Sequence, residues 1–401
     1  MIFPRGRRRG WLLAAPLMLL ALAAAFTLGR PTPASAAIYL PKADEEVLET
    51  LPGRIGNTWL RSAAEASSTA PLDATAAVAR ARLELTHYQE SADPRYLGRA
   101  EAALGRFWDE PAPPEPVLVL RARIRQSNHE FSAASSDLDR ALTLNPADGQ
   151  ALLDRASIRT VLGQYEAARR DCHALEPLTA PLYVVVCRAA IAGVTGSAAM
   201  AVSDLSRALA APGVESEDRC WGESLLGELS TRLGDSVGAE ANFRGVLAVC
   251  PSDNYAKGAL ADLLLDLQRN EEVVLLLSDQ MRQDALLLRL AIAERQLKSS
   301  AFSAHLQDLA ARFDEAHLRG SSVHRREEAR FELELRDAPE RALTLALENF
   351  QVQRETADVR IALEAALAAG HPERARAVAT FVRESRLEDP HVKRLLARLP
   401  Q

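Results

Sequence analysis

Aromatic residues are scarce. Four Trp, six Tyr and ten Phe make up 5% of the 401 residues, and Cys and Met number four each. Beyond residue 40 no stretch alternates apolar and polar residues at period two, which excludes a sheet. There is no surplus of positive charge. The formal net charge of −6 argues against general binding to nucleic acid, which requires a basic surface. The sequence contains no GxxxxGK[ST] phosphate loop, no GxGxxG after a strand, no GxSxG elbow and no HExxH. His129-Glu130 lacks the second His that a zinc site would place three residues on. The eight His, at 87, 129, 173, 305, 317, 324, 371 and 391, are too scattered to supply three or four converging ligands. Cys172 and His173 are neighbours, but adjacent residues on a helix point about 100° apart and do not form a nucleophile–base pair. The chain reads as a non-enzyme without cofactor or metal.

What the chain has is Ala, Leu and Arg, the leaders of the helix-propensity ranking, in 48% hydrophobic residues overall. The N-terminus is a different material. Arg5, Arg7, Arg8 and Arg9 precede the uncharged apolar run 11–28, and Ala34-Ser35-Ala36 follows. That order predicts a signal peptide cleaved between Ala36 and Ala37. The other reading is an uncleaved membrane anchor, since 18 apolar residues approach the lower limit for spanning. Cleavage removes five arginines, Arg30 included, and takes the net charge from −6 to −11. Residues 37–72 read as an N-terminal arm between Pro41 and Pro52 and a leading helix over 55–70.

From residue 73 helices come in pairs. The stretch 226–251, LGELSTRLGDSVGAEANFRGVLAVCP, is the best formed. Leu226 and Gly227 give a long and then a small residue, and Leu233-Gly234-Asp235 breaks the helix. Ala239, Phe243 and Val246 stripe the second helix, and Pro251 closes it. Small residues recur at Ala134, Ala168, Ala201 and Ala239, spaced by 34, 33 and 38. Pro339-Glu340-Arg341-Ala342 returns as Pro372-Glu373-Arg374-Ala375, 33 residues later.

This pattern resembles the tetratricopeptide repeat (TPR), a helix–turn–helix unit of about 34 residues that buries its apolar face only by stacking. The resemblance implies an all-α solenoid, a right-handed superhelix of about eight hairpins. It covers an array over 73–283, with units from 115, 149, 182, 220 and 254, then divergent hairpins over 284–401 ending in a capping helix. Asp284 reads as an N-cap, and HRREE (324–328) as a solvated helix face.

In the family, set positions of the first helix face a concave groove. Carried over unit by unit, they are Arg123 and Gln126; Gln150 and Ser157; Tyr183; Trp221, Glu228 and Arg232; Tyr255, Asp262 and Asp266. Three successive units thus place an aromatic at the second position, Tyr183, Trp221 and Tyr255, of a residue class that dominates binding hot spots. The alternative is that these rings pack between repeats as core. The Lys–Asn pairs of carboxylate-clamp TPR modules are missing. Export implies an oxidising compartment, and four cysteines allow three connectivities. In an antiparallel helix pair the start of the first helix lies beside the end of the second, which favours Cys220–Cys250. Cys172 on a second helix and Cys187 on the next first helix make the other pair.

The function this implies is a non-catalytic scaffold of the bacterial cell envelope, periplasmic and free of the membrane after cleavage, with a protein or peptide partner in the groove. An accessory adaptor for envelope export, assembly or metal handling is an alternative. An enzyme with its site in 284–335 is disfavoured, because no nucleophile–base pair or ligand cluster stands there.

Overall fold

A computed structural model describes residues 73–91, 93–318 and 324–400. The signal segment, the Ala36–Ala37 cleavage site and the arm and leading helix of 37–72 lie outside these residues. The described chain contains nineteen α-helices. The first eighteen pair consecutively: α1 (Ala74–Ser91) with α2 (Arg95–Leu104), α3 (Glu115–Ser127) with α4 (Phe131–Leu144), α5 (Gly149–Val161) with α6 (Tyr165–Ala174) and α7 (Pro181–Ala192) with α8 (Ala198–Leu209). Next come α9 (Ser216–Leu233) with α10 (Ser236–Val249), α11 (Asn254–Asp266) with α12 (Asn270–Leu277) and α13 (Asp284–Leu297) with α14 (Phe302–Leu318). The last are α15 (Arg325–Glu334) with α16 (Pro339–Val352) and α17 (Thr356–Ala368) with α18 (Arg376–Ser385), and α19 (Pro390–Leu396) packs on α17 as a cap. That makes nine hairpins rather than about eight.

Local chemistry sets the boundaries. Asp148, Asp235, Asp253 and Asp389 each accept a backbone N–H from the first turn that follows them, at 2.8–2.9 Å. This satisfies one of the donors a helix start leaves open. Gly163, Gly196 and Gly234, in the turns within three hairpins, hold φ of 74°, 77° and 80°, where an L side chain is strained. Two sequence readings need correction. Gln283, not Asp284, is the N-cap of α13, and Asp284 instead takes the Arg312 guanidinium at 2.8 Å. The helix α9 begins at Ser216, four residues before the expected unit start at 220, so Trp221 is its sixth residue and not its second.

Each first helix packs on its own partner and on the first helix of the next pair. The core therefore runs along the array as a series of clusters shared between successive hairpins, such as Leu118, Leu138, Ile158, Cys172 and Ile191, and then Leu182, Leu205 and Leu229. No hairpin could bury its stripe alone. At the pair α9–α10, a side chain on Gly227 would meet the Phe243 ring at 2.4–2.7 Å. The small residue lets the two helices close.

Buried ion triads lock the register of two neighbouring hairpins. Arg121 binds Asp137 through Nε at 2.8 Å and Nη2 at 2.7 Å, and Arg125 adds a contact at 2.6 Å. In the next hairpin Arg155 and Arg159 hold Asp171 at 2.6 Å each. The chain joins Cys172 to Cys187 and Cys220 to Cys250, with Cα–Cα separations of 5.7 and 6.5 Å. The first bond ties a second helix to the next first helix. The second ties the two ends of one hairpin. No helix among the described residues is long and apolar enough to cross a membrane.

Candidate functional site

The first helices pack one on the next to form a continuous wall, and its polar side chains link one helix to the next. On α3, Arg123 lies 3.6 Å from Asp154 of α5, whose other oxygen accepts from Gln150 at 2.7 Å. Burial raises the Asp154 pKa despite Arg123. Gln126 is half-buried and Ser157 exposed. Further along, the Tyr183 hydroxyl of α7 donates to Asp218 Oδ1 of α9 at 2.7 Å. The Tyr183 and Trp221 rings sit 5.8 Å apart at 41°. Trp221 is 39% exposed and Tyr255 is 58% exposed. Seven residues separate Trp221 from Glu228, two helical turns on one face, or about 10 Å. Glu228 accepts the Tyr255 hydroxyl from α11 and pairs with Arg232 at 2.8 Å. The structure thus brings Tyr183, Trp221, Glu228, Arg232 and Tyr255 onto one surface spanning three hairpins, and each tyrosine hydroxyl is anchored by a carboxylate of the adjacent one.

Both phenols are harder to ionise than usual. For Tyr183 the bond to Asp218 is the leading cause, followed by burial and the nearby Glu215 and Glu217. For Tyr255 enclosure leads, with Glu228 and then Glu355 adding to it. Glu355 lies 100 residues further along the chain, between α16 and α17. So Tyr255 is open to solvent yet faces protein across the inside of the coil.

That far side is made by the C-terminal hairpins. Asp262 of α11 binds Arg289 of α13 and Arg330 of α15, both at 2.5 Å. Asp266 accepts from Nη1 and Nη2 of Arg360, on α17, at 2.6 and 2.7 Å. Burial would raise the Asp262 pKa, but Arg289 and Arg330 outweigh it and hold it well below the carboxylate range. These two predicted wall residues therefore face the chain's own later helices.

Contact continues along the turn edge. The Arg354 N–H donates to the Val161 carbonyl at 2.8 Å. The Phe381 ring lies 6.3 Å from that of Tyr165, tilted by 39°, and Glu388 accepts the Ala198 N–H at 2.9 Å. Gly163 lies against Phe381 and Arg354, and Gly196 against Arg386. The solenoid closes on itself. HRREE accordingly is not a solvated face. Arg326 reaches Glu355 at 2.9 Å and the fully buried Asp358 at 3.4 Å, and Glu328 is buried. Burial opposes ionisation of Glu327, but Arg326, His324 and Arg289 bring its pKa down to about 2. Asp358 goes the other way. Burial dominates Arg326 and pushes it up to about 7, while Asn349 and Gln353 donate to its Oδ1.

None of these closing contacts was read from the sequence, and only the charge-rich run 324–328 hinted at them. The triads were equally missed, although their signal was present: Arg121, Arg125 and Asp137 recur as Arg155, Arg159 and Asp171, each 34 residues on. In the region 284–335, His305 is paired with Glu294 at 2.7 Å, His317 with Glu328 at 3.0 Å and Arg312 with Asp284 and Asp308. Among the described residues no group of three or more His, Cys, Asp or Glu could hold a metal ion. Chemically, the wall offers rigid aromatic faces and paired charges, which suits recognition of another chain.

No family model matches the chain, and no curated protein matches it in sequence. Among solved structures, a tetratricopeptide repeat protein from Parabacteroides merdae is 17% identical over 71% of this chain and 97% of its own, with a TM-score of 0.33. The TPR domain of P58(IPK) is 15% identical over 80% of this chain and 96% of its own, with a TM-score of 0.25. A human IFIT1 dimer with PPP-AAAA is 12% identical over 76% of this chain and 81% of its own, with a TM-score of 0.40. Over its described residues the chain is an all-α helical repeat protein built of stacked helix–turn–helix hairpins.

Proposed function

We propose that this protein is a non-catalytic interaction scaffold of the bacterial cell envelope, holding a protein or peptide partner on the inner wall of α7, α9 and α11. The observation that carries the reading is the exposed Trp221 between Tyr183 and Tyr255. In a chain with so few aromatics, these rings stand on three successive first helices with both hydroxyls fixed. Rigid aromatic anchors lose little conformational entropy on binding, which is why they dominate hot spots. The neighbouring wall residues Asp262 and Asp266 are already satisfied by Arg330 and Arg360, so docking is directed to the aromatic stretch.

The envelope assignment is supported by two disulfides, which persist in oxidising compartments, and by the leader-like first 36 residues. The test of docking is a Trp221→Ala and Tyr255→Ala pair assayed for partner capture and thermal stability together. Weakened capture at a nearly unchanged melting temperature is expected. A large stability loss with capture intact would assign the rings to packing. N-terminal sequencing of the exported chain tests cleavage after Ala36, and a terminus at Met1 contradicts it in favour of the uncleaved membrane anchor.

A further inference from the structure

We infer that the Tyr183–Trp221 corner takes a cationic side chain, arginine or lysine, from an extended basic segment of the partner. The inference rests on the wall being the docking surface and adds the chemistry of what docks.

Charge bookkeeping along the wall sets this corner apart. Asp154 has Arg123, Glu228 has Arg232, Asp262 has Arg289 and Arg330, and Asp266 has Arg360. Beside Trp221 the pattern stops. Glu215, Glu217 and Asp218 all act on the Tyr183 hydroxyl electrostatically, and no ion pair of theirs is seen among the described residues. Asp218 uses Oδ1 for Tyr183 and keeps Oδ2 for another donor. The neighbouring cation is turned away: Arg219 donates to the Leu209 carbonyl at 3.0 Å and lies 3.9 Å from Glu223. Carboxylates in the first turn also favour the α9 dipole whatever binds. That does not explain a tryptophan left 39% exposed beside them. Trp offers the best face for a cation among the aromatic side chains. An indole face flanked by uncompensated carboxylates is complementary to a guanidinium or ammonium and repels an acidic segment.

Calorimetry on the full chain tests this with short peptides of alternating serine and arginine, serine and glutamate, or serine alone. The arginine peptide is expected to bind and the glutamate peptide not. Trp221→Ala should weaken binding about tenfold, since a partly desolvated cation–π contact is worth roughly that factor. Trp221→Phe should retain most of it, and Asp218→Asn, which still accepts from Tyr183, should lower it. Circular dichroism and melting confirm that each variant is folded. Equal, Trp221-dependent binding of the serine-only and arginine peptides would leave the wall as a docking surface and overturn the preference for a cation. Arginine-peptide binding unchanged in Trp221→Ala would reduce it to general attraction to a chain of net charge −6 and overturn the proposal. No binding by any peptide would count against both.

Discussion

Removing the Asp137 carboxylate should be among the most damaging single changes in the array. Asp137 is 2% exposed and is held by two guanidiniums, one of them, Arg121, buried to a similar degree. Asp137→Ala leaves both cations facing each other without a counter-charge. Arg121 keeps a single contact, to the Trp108 carbonyl. Breaking a buried pair by removing one partner costs about 3–5 kcal/mol, mostly because the remaining charge stays desolvated. The next hairpin supplies an internal control. Asp171 is as buried, but its partners Arg155 and Arg159 are 16% and 18% exposed in their side chains and share a second acid, Asp139. Asp171→Ala should therefore cost about half as much, because water and Asp139 still serve the two cations. Stability in a repeat array is local, and a single unfolding free energy is poorly defined for a chain of this kind. The assay is accordingly hydrogen exchange of the α3–α4 and α5–α6 amides. The expected result is a drop in protection confined to the altered hairpin and its neighbours, larger for Asp137. The triple change Arg121→Met, Arg125→Met, Asp137→Leu should recover most of the loss. A cost below about 1 kcal/mol for Asp137→Ala, or a larger effect at Asp171, would refute the reasoning.

Three further outcomes follow from the packing and charge. Gly227→Ala places a Cβ 2.4 Å from Cε1 of the buried Phe243 ring, so the ring or the helix must shift. Overpacking of about 1–3 kcal/mol against roughly 1 kcal/mol of gained helix propensity predicts a net loss of up to about 2, partly relieved by adding Phe243→Leu; hydrogen exchange of the α9–α10 amides in the two variants measures it. Burial and the neighbouring Asp148 raise the Glu115 pKa from 4.5 to about 7, so the folded chain keeps a proton that the unfolded chain has released. Stability is lost as pH rises through that window, and Glu115→Gln should gain on the wild type steadily from pH 4.5 to 7 in paired melts and no further above it. Replacing each disulfide by serines should cost about 3 kcal/mol for Cys172–Cys187 and about 4 for Cys220–Cys250 on the chain-entropy relation. Equal melting with and without reductant would contradict this.

Helix pairing was legible because it is local. The spacing of Ala134, Ala168, Ala201 and Ala239, and the echo of Pro339 at Pro372, mark units whose contacts lie within one repeat or the next. Boundaries were less legible where a helix overruns its unit. The four extra residues 216–219 carry Glu217 and Asp218, a good first turn, and that shifted the register assigned to Trp221. Closure left almost no trace. Asp262 and Arg330 are 68 residues apart, and Asp266 and Arg360 are 94 apart. A contact between non-adjacent repeats has no period to betray it. The same limit applies to the wall residues: the repeat resemblance named Asp262 and Asp266 as groove-facing, but only the three-dimensional path of the chain reveals the arginines that occupy them.

Site-specific crosslinking tests the inner wall most directly. A photoreactive aromatic residue placed at Trp221 samples the proposed docking surface, and the same residue at Val237, 82% exposed on the second helix α10, samples a second-helix surface. In cells carrying the full chain, one discrete adduct from position 221 and none of that mass from position 237 is the expected result. The same adduct from both positions, or from 237 alone, would contradict docking on the first-helix wall.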